Sequence, residues 1–254
     1  MQKIINEAIE WLKNSSTEEK KVKGCITGSS LLGYFDDDYH QDIDVFIYDK
    51  KSFINLLDKM YYDDMFQLLN PLEKWKFMKE FNEENYKQQW LTTIKFTYNT
   101  CIPINIIFKK DKNNIFAVLS SFDMDIVAKG YDIQTKQWLD LTGNSTITKI
   151  ADWNKWNTQY YSSELWEKNK ILRQFVRIIK YYKRGYNTDK IVQKYLEILD
   201  EILNYNNIFN SSDFKEQLEL NKSNAQTLKL IFSTWLQNHE ITQEELIKLN
   251  NILK

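Results

Sequence analysis

Asp42 and Asp44, two residues apart, follow a Gly28-Ser29-Ser30 sequence, with twelve residues separating Ser29 from Asp42. Apolar residues precede the Gly-Ser pair (Cys25, Ile26) and follow the second Asp (Val45, Phe46, Ile47). The pattern reads as a short strand ending in a Gly-Ser turn, a helical turn, and a second strand carrying the carboxylates. Side chains alternate across a strand, so Asp42 and Asp44 share a face. Two adjacent carboxylates repel unless a cation lies between them, and a hard divalent ion with oxygen ligands, Mg2+ or Mn2+, is the natural one. Gly28 lets the backbone approach a phosphate, to which the Ser29 hydroxyl, with Ser30 beside it and the turn N–H groups, can donate. The plainer alternative is a Gly-Ser helix cap followed by an exposed strand edge.

The elements that must hold these residues emerge from the pattern of the 254-residue chain. Composition is that of an ordinary globular protein, 43% hydrophobic and 27% charged, with 34 basic against 35 acidic residues. A near-neutral chain has no global field for nucleic acid, so any binding surface must come from local segregation of charge. Two cysteines, Cys25 and Cys101, fall in predicted strands and read as buried free thiols; with two histidines far apart, a zinc site or a Ser-His-Asp triad is not expected. No apolar run is long enough to span a membrane, and acidic residues interrupt the N-terminal amphipathic pattern, unlike a signal peptide. The expectation is a cytoplasmic protein.

A first helix is predicted from about Gln2 to Asn14, strands at Val22–Thr27 and Asp42–Tyr48, and helices within 50–82. Leu91–Tyr98 and Ile102–Phe108 read as a hairpin, Phe122–Tyr131 as a strand, and Gln137–Leu141 as a weaker strand. From about Ser145 the pattern turns helical, with candidates near 145–152, 162–184, 188–204, 211–219, 224–237 and 241–253. The predicted fold is α+β: a mixed sheet flanked by helices over residues 1–144, then an all-helical region over 145–254.

In the second region Arg173, Arg177, Lys180 and Arg184 recur at helical spacing beside an apolar stripe of Leu172, Phe175, Val176, Ile179 and Tyr182. The cations either form a solvated face or neutralise a triphosphate or RNA backbone. Trp153, Trp156, Tyr160, Tyr161 and Trp166 cluster at the junction, for packing between the halves or for base stacking. Asp36-Asp37-Asp38 reads as a solvated loop, and His40 and Gln41 precede the second strand.

The ordered motifs, GS then DIDVFI, INIIF, FDMDIVAKGYD and RQFVRIIKYYKRGY, resemble the polymerase-β-like nucleotidyltransferase superfamily, in particular its viral and phage nucleotidyltransferase-like proteins, over roughly residues 20–187. The resemblance implies a nucleotidyltransferase-like domain that moves a nucleoside monophosphate from an NTP, ATP among them, to an acceptor hydroxyl, with two divalent cations at the phosphates. It implies Asp42 and Asp44 as metal ligands, Gly28, Ser29 and Ser30 as the phosphate turn, and Arg173, Arg177 and Lys180 as triphosphate or acceptor contacts. Superfamily members use a third carboxylate on a later strand, where this chain has Asn105. Asn offers a carbonyl ligand without charge and cannot act as a base. Asp123 or Asp125 is the candidate replacement, against a reading of both as exposed strand residues.

The expected function is therefore NTP-dependent nucleotidyl transfer to an RNA, protein or small-molecule hydroxyl. From another class comes a catalytically inactive module on the same fold, binding nucleotide, RNA or protein, for which Asn105 speaks. A host-takeover or antitoxin-like factor that modifies a protein hydroxyl is a third reading.

Overall fold

The structure is a computed structural model that describes residues 2–32, 42–72, 91–109, 111–157, 168–204 and 212–242. The later part of the predicted helical stretch 50–82, the predicted helix at 241–253, the Asp36–Asp38 run, His40, Gln41, Tyr160, Tyr161 and Trp166 lie wholly or almost wholly outside the described residues. The chain divides into two compact units, Met1–Gly143 and Asn144–Lys254.

The first unit is built on a seven-stranded mixed sheet in the order β3-β4-β5-β2-β1-β6-β7. Its strands are β1 (Gly24–Thr27), β2 (Ile43–Ile47), β3 (Phe66–Leu68), β4 (Leu91–Tyr98), β5 (Ile102–Lys109), β6 (Lys129–Asp132) and β7 (Gln137–Asp140). Among these pairings β2 with β5 is parallel and the rest are antiparallel. Together with the helices this is the expected α+β architecture.

Alternation along the strands gives the sheet two different faces. Ile26, Ile43, Val45, Ile47, Ile94, Phe96, Ile104, Ile106 and Phe108 point to one, where they form a core with Ile5, Ala8, Ile9 and Leu12 of α1 (Gln2–Lys13) and Phe53, Leu56, Leu57 and Met60 of α2 (Lys50–Tyr61). In both helices these residues recur at three- and four-residue spacing, so one stripe of each is buried. Asp49 caps α2, its carboxylate accepting from the Ser52 amide at 2.7 Å. The opposite face carries Cys25, Thr27, Asp44, Phe46, Asn105 and Lys95, and Phe122 packs edge-on against Phe46 there with ring centroids 6.0 Å apart.

The β4–β5 hairpin forms as expected. Asn99 and Thr100 take left-handed backbone (φ 48° and 57°), and the Cys101 amide closes on Tyr98 O at 3.2 Å. This is the primed turn whose twist suits a hairpin. It also corrects one expectation, because Cys101 sits exposed in the turn while Cys25 alone is a buried strand thiol.

Phe122–Tyr131 is not one strand. After α3 (Ile115–Leu119) the chain makes a 3-10 turn at Asp125–Val127, closed by Ala128 N to Asp125 O at 2.9 Å, and only then enters β6. Gly130 and Tyr131 there pair with Thr27 and Ile26 of β1.

The second unit contains α4 (Ser145–Thr148), α5 (Lys168–Lys183), α6 (Asp189–Asn204) and α7 (Ser212–Asn238) among its described elements. α4 is shorter than predicted because Lys149 turns left-handed (φ 58°). The two helices expected at 211–219 and 224–237 are one, since no Gly or Pro interrupts the polar stretch between them. Phe232 gathers the core, meeting Phe175 at 4.6 Å and stacking on Tyr195 at 5.6 Å.

Candidate active site

At the end of β1 the chain turns at Gly28 with φ +94°, a conformation open to glycine and costly for other residues. Thr27 lies opposite Asp44 in the β1–β2 register. A Cβ at Gly28 would stand 2.9 Å from Asp44 Oδ2, so the missing side chain is what lets this carboxylate lie against the turn. The following 3-10 turn, Ser29–Leu32, begins with Leu31 N bonding Gly28 O at 3.2 Å. Ser29 and Ser30 are both buried, and the Ser30 hydroxyl has no hydrogen-bond partner among the described residues.

Asp42 precedes β2 and Asp44 lies within it, both half-buried. The residue that joins them comes from β5. Parallel pairing puts Asn105 directly beside Asp44, and its Nδ2 donates to Asp42 Oδ2 at 2.6 Å and to Asp44 Oδ1 at 2.9 Å. One amide nitrogen can reach both carboxylates only if their oxygens converge on one point. Its two hydrogens then serve one carboxylate each, so the amide occupies the place that the charge pattern assigns to a cation. Asn105 is itself 9% exposed.

Asp123 is buried (3% exposed) next to Phe122, whose ring rests on Phe46. Phe46 shares its face with Asp42 and Asp44 by strand alternation, so this segment covers the carboxylate face. Asp125 opens the 3-10 turn that follows. Among the described residues, no group of three or more His, Cys, Asp or Glu side chains is arranged to hold a metal ion. The described donors at the convergence point are two carboxylates and an amide.

The basic helix belongs to the second unit. Its buried face is Phe175, Ile178 and Tyr181, whereas Val176 is 64% exposed. The buried row is therefore rotated from the predicted stripe, with Phe175 common to both and packed on Phe232 and Trp235. Arg184 leaves the predicted cationic row: it is buried, its guanidinium 5.7 Å from the Tyr181 ring. Arg177 and Lys180 are half-buried, and Arg173 lies on the same helix, its side chain outside the described residues. Trp153 is buried against Tyr195 at 5.7 Å within this unit.

Lys95 was missed by motif reading. It stands opposite Asn105 in the β4–β5 register. The alternation of LTTIKFTY combined with the hairpin would have put it on the carboxylate face.

No protein-family model matches the chain, and no curated protein matches it. Solved structures that it resembles include CCA-adding enzymes. The Thermotoga maritima CCA-adding enzyme complexed with tRNA matches 98% of this chain and 53% of its own at 10% identity, TM-score 0.43. A CCA-adding enzyme with CTP matches 98% and 68% at 14% identity, TM-score 0.44, and one with ATP 97% and 66% at 13% identity, TM-score 0.43. The chain spans between 53% and 68% of their lengths. At these identities and TM-scores the likeness is too distant to carry an activity across.

Proposed function

We propose that the chain is a divalent-metal-dependent nucleotidyltransferase, moving a nucleoside monophosphate from an NTP to an acceptor hydroxyl. The observation that carries this reading is the convergence of Asp42 and Asp44 beside a glycine turn, with Asp44 Oδ2 lodged where a Gly28 side chain would be. The donor set would fit one hard divalent ion if the Asn105 amide, whose Nδ2 now faces both carboxylates, turned its carbonyl toward them as a neutral third ligand beside the Asp42 and Asp44 oxygens. When bound, such an ion neutralises the triphosphate and stabilises the attacking and leaving oxygens. Gly28 gives the phosphates access to the backbone, and Ser29 and Ser30 supply hydroxyl donors. In the reaction the acceptor oxygen bonds the α-phosphorus, the bond to the bridging oxygen breaks, and pyrophosphate leaves with the electron pair. Asp123 is the candidate to receive the hydroxyl proton, and Arg177, Lys180 and Arg173 are candidate contacts to phosphate.

The test is pyrophosphate release from each of four NTPs with Mg2+ or Mn2+ and cell RNA. The wild type turns over at least one NTP, and the Asp42→Ala, Asp44→Ala double variant falls to background while keeping its circular dichroism spectrum. Undiminished turnover in that variant would sink the assignment.

A second reading is favoured by one feature. Asn105 satisfies both carboxylates without any metal, as an inactive nucleotide- or RNA-binding module would require. In that case calorimetry detects NTP or RNA binding while no NTP yields pyrophosphate.

A further inference from the structure

The pairings of the sheet line up a row of side chains across the face that bears the carboxylates: Thr27 on β1, Asp44 on β2, Asn105 on β5 and Lys95 on β4. Alternation confirms their common side, because the flanking Ile26, Val45, Ile106 and Ile94 all lie in the core on the other face. Lys95 is thus one strand beyond Asn105 and two strand spacings, about 10 Å, from the Asp44 backbone.

The placement of Lys95 is tightly held. Its amide donates to the Asn70 side chain, and its carbonyl accepts from the Leu69 amide at 2.8 Å. Both backbone groups point away from β5, so Lys95 and Asn105 form a non-hydrogen-bonded antiparallel pair. In such pairs the Cα atoms approach to about 4.5 Å and the side chains lie closer together. Lys95 is exposed, and its ammonium has no ion-pair partner among the described residues. In the same unit Lys129 pairs with Asp140 at 3.3 Å and Lys23 lies 3.9 Å from Asp49. A cation unpaired with any acid among the described residues is therefore stationed beside the carboxylate centre.

The order of strands says which reactant it serves. The Gly28–Ser30 turn follows β1, on one flank of β2, while Asn105 and Lys95 lie on the other. An in-line displacement puts the attacking and leaving oxygens on opposite sides of phosphorus. With the leaving pyrophosphate at the glycine turn, the attacking hydroxyl comes from the β5–β4 flank. We propose that Lys95 is the acceptor contact of this site, holding a backbone phosphate of a nucleic-acid strand whose terminal hydroxyl attacks the NTP. A strand end always carries a phosphodiester close to that hydroxyl, whereas a Ser or Tyr side chain of a protein brings no anion of its own. The new bond joins the strand's terminal oxygen to the α-phosphorus, pyrophosphate takes the bonding pair, and the hydroxyl proton passes to Asp123, the candidate base of the proposed reaction. This inference rests on the nucleotidyltransferase reading and adds the acceptor to it.

The test uses the full chain and a short oligoribonucleotide with a free terminal hydroxyl, beside the same oligomer made neutral by a methylphosphonate at its last linkage. Fluorescence anisotropy reads strand binding without turnover, and calorimetry reads Mg2+–NTP binding separately. Lys95→Gln is expected to weaken binding of the charged strand about tenfold and to lower the salt slope by about one contact. It is expected to leave NTP affinity unchanged and to cause no further loss on the neutralised strand, while Lys95→Arg retains binding. Equal loss on both strands, a loss confined to NTP binding, or labelling of a hydroxyl peptide in preference to the strand would each overturn the proposal. Absence of pyrophosphate release in the wild type would remove the enzymatic reading, while the binding data would still show whether Lys95 holds a phosphate.

Discussion

Asn105 is where charge, register and chemistry meet. Hydrogen bonds to a charged acceptor contribute about 1.5–3 kcal/mol each, and Asn105 makes two, to Asp42 and Asp44. They offset the repulsion between two carboxylates whose oxygens converge. Asn105→Asp replaces the donor with a third negative charge, so the variant is expected to be destabilised in EDTA by about 1–3 kcal/mol. At about 2–4 °C per kcal/mol the loss is visible in a melting curve. Mg2+ should then raise the melting temperature of Asn105→Asp by more than that of the wild type, since three carboxylates bind a divalent cation more strongly than two and an amide. Equal responses to Mg2+ would show that Asn105 is not at the cation position. The pairing of Asp42 with Asp44 follows from the two-residue period of a strand. The hydrogen bonds of Asn105 do not, because they depend on parallel pairing between strands some sixty residues apart in the chain, which no local pattern encodes.

Among the elements, the hairpin that carries both Asn105 and Lys95 is the best case of local chemistry dictating structure. Asn99 suits a left-handed position, but Thr100 is β-branched and is held at φ 57°. A left-handed conformation costs a residue with a Cβ about 1–2 kcal/mol. Thr100→Gly creates the Asn-Gly pair preferred in primed turns and is expected to stabilise the protein by about 1 kcal/mol, measured by urea denaturation. No gain, or a loss, would mean that the turn is held differently. Other elements were harder to read. FDMDIVAKGY has enough apolar residues for a strand, yet the bond from Ala128 to Asp125 turns its first half, and the choice was made by β1, which pairs only with the second. On α5 two apolar rows share Phe175, and the folded unit buries Ile178 and Tyr181 while leaving Val176 exposed. Both errors arise from tertiary contacts that override a short repeat.

At the scale of the whole molecule, the fold class was readable because long apolar alternation gives way to helical periodicity near residue 145, and the structure has the α+β architecture that this change implies. The two cysteines report on the folded state. Burial, countered in part by a hydrogen bond with Tyr48 and reinforced by the charge of Asp132, pushes the Cys25 thiol from 9.0 up to about 12. The folded chain therefore holds a proton that the unfolded chain releases, and this contribution to stability is lost as pH rises from about 9 to about 12. At pH 8 a thiol reagent should modify the exposed Cys101 rapidly and Cys25 only on unfolding. Two equally fast thiols would contradict the buried position of β1.

The central claim is that Asp42 and Asp44 form a divalent-cation centre that turns over an NTP. Its most direct test is pyrophosphate release from NTPs with RNA, followed while Mg2+ is titrated against EDTA, in the wild type and the Asp42→Ala, Asp44→Ala variant. The account predicts release that appears with Mg2+ in the wild type and stays at background in the variant. Release that is independent of divalent cation, or undiminished without the two carboxylates, would contradict it.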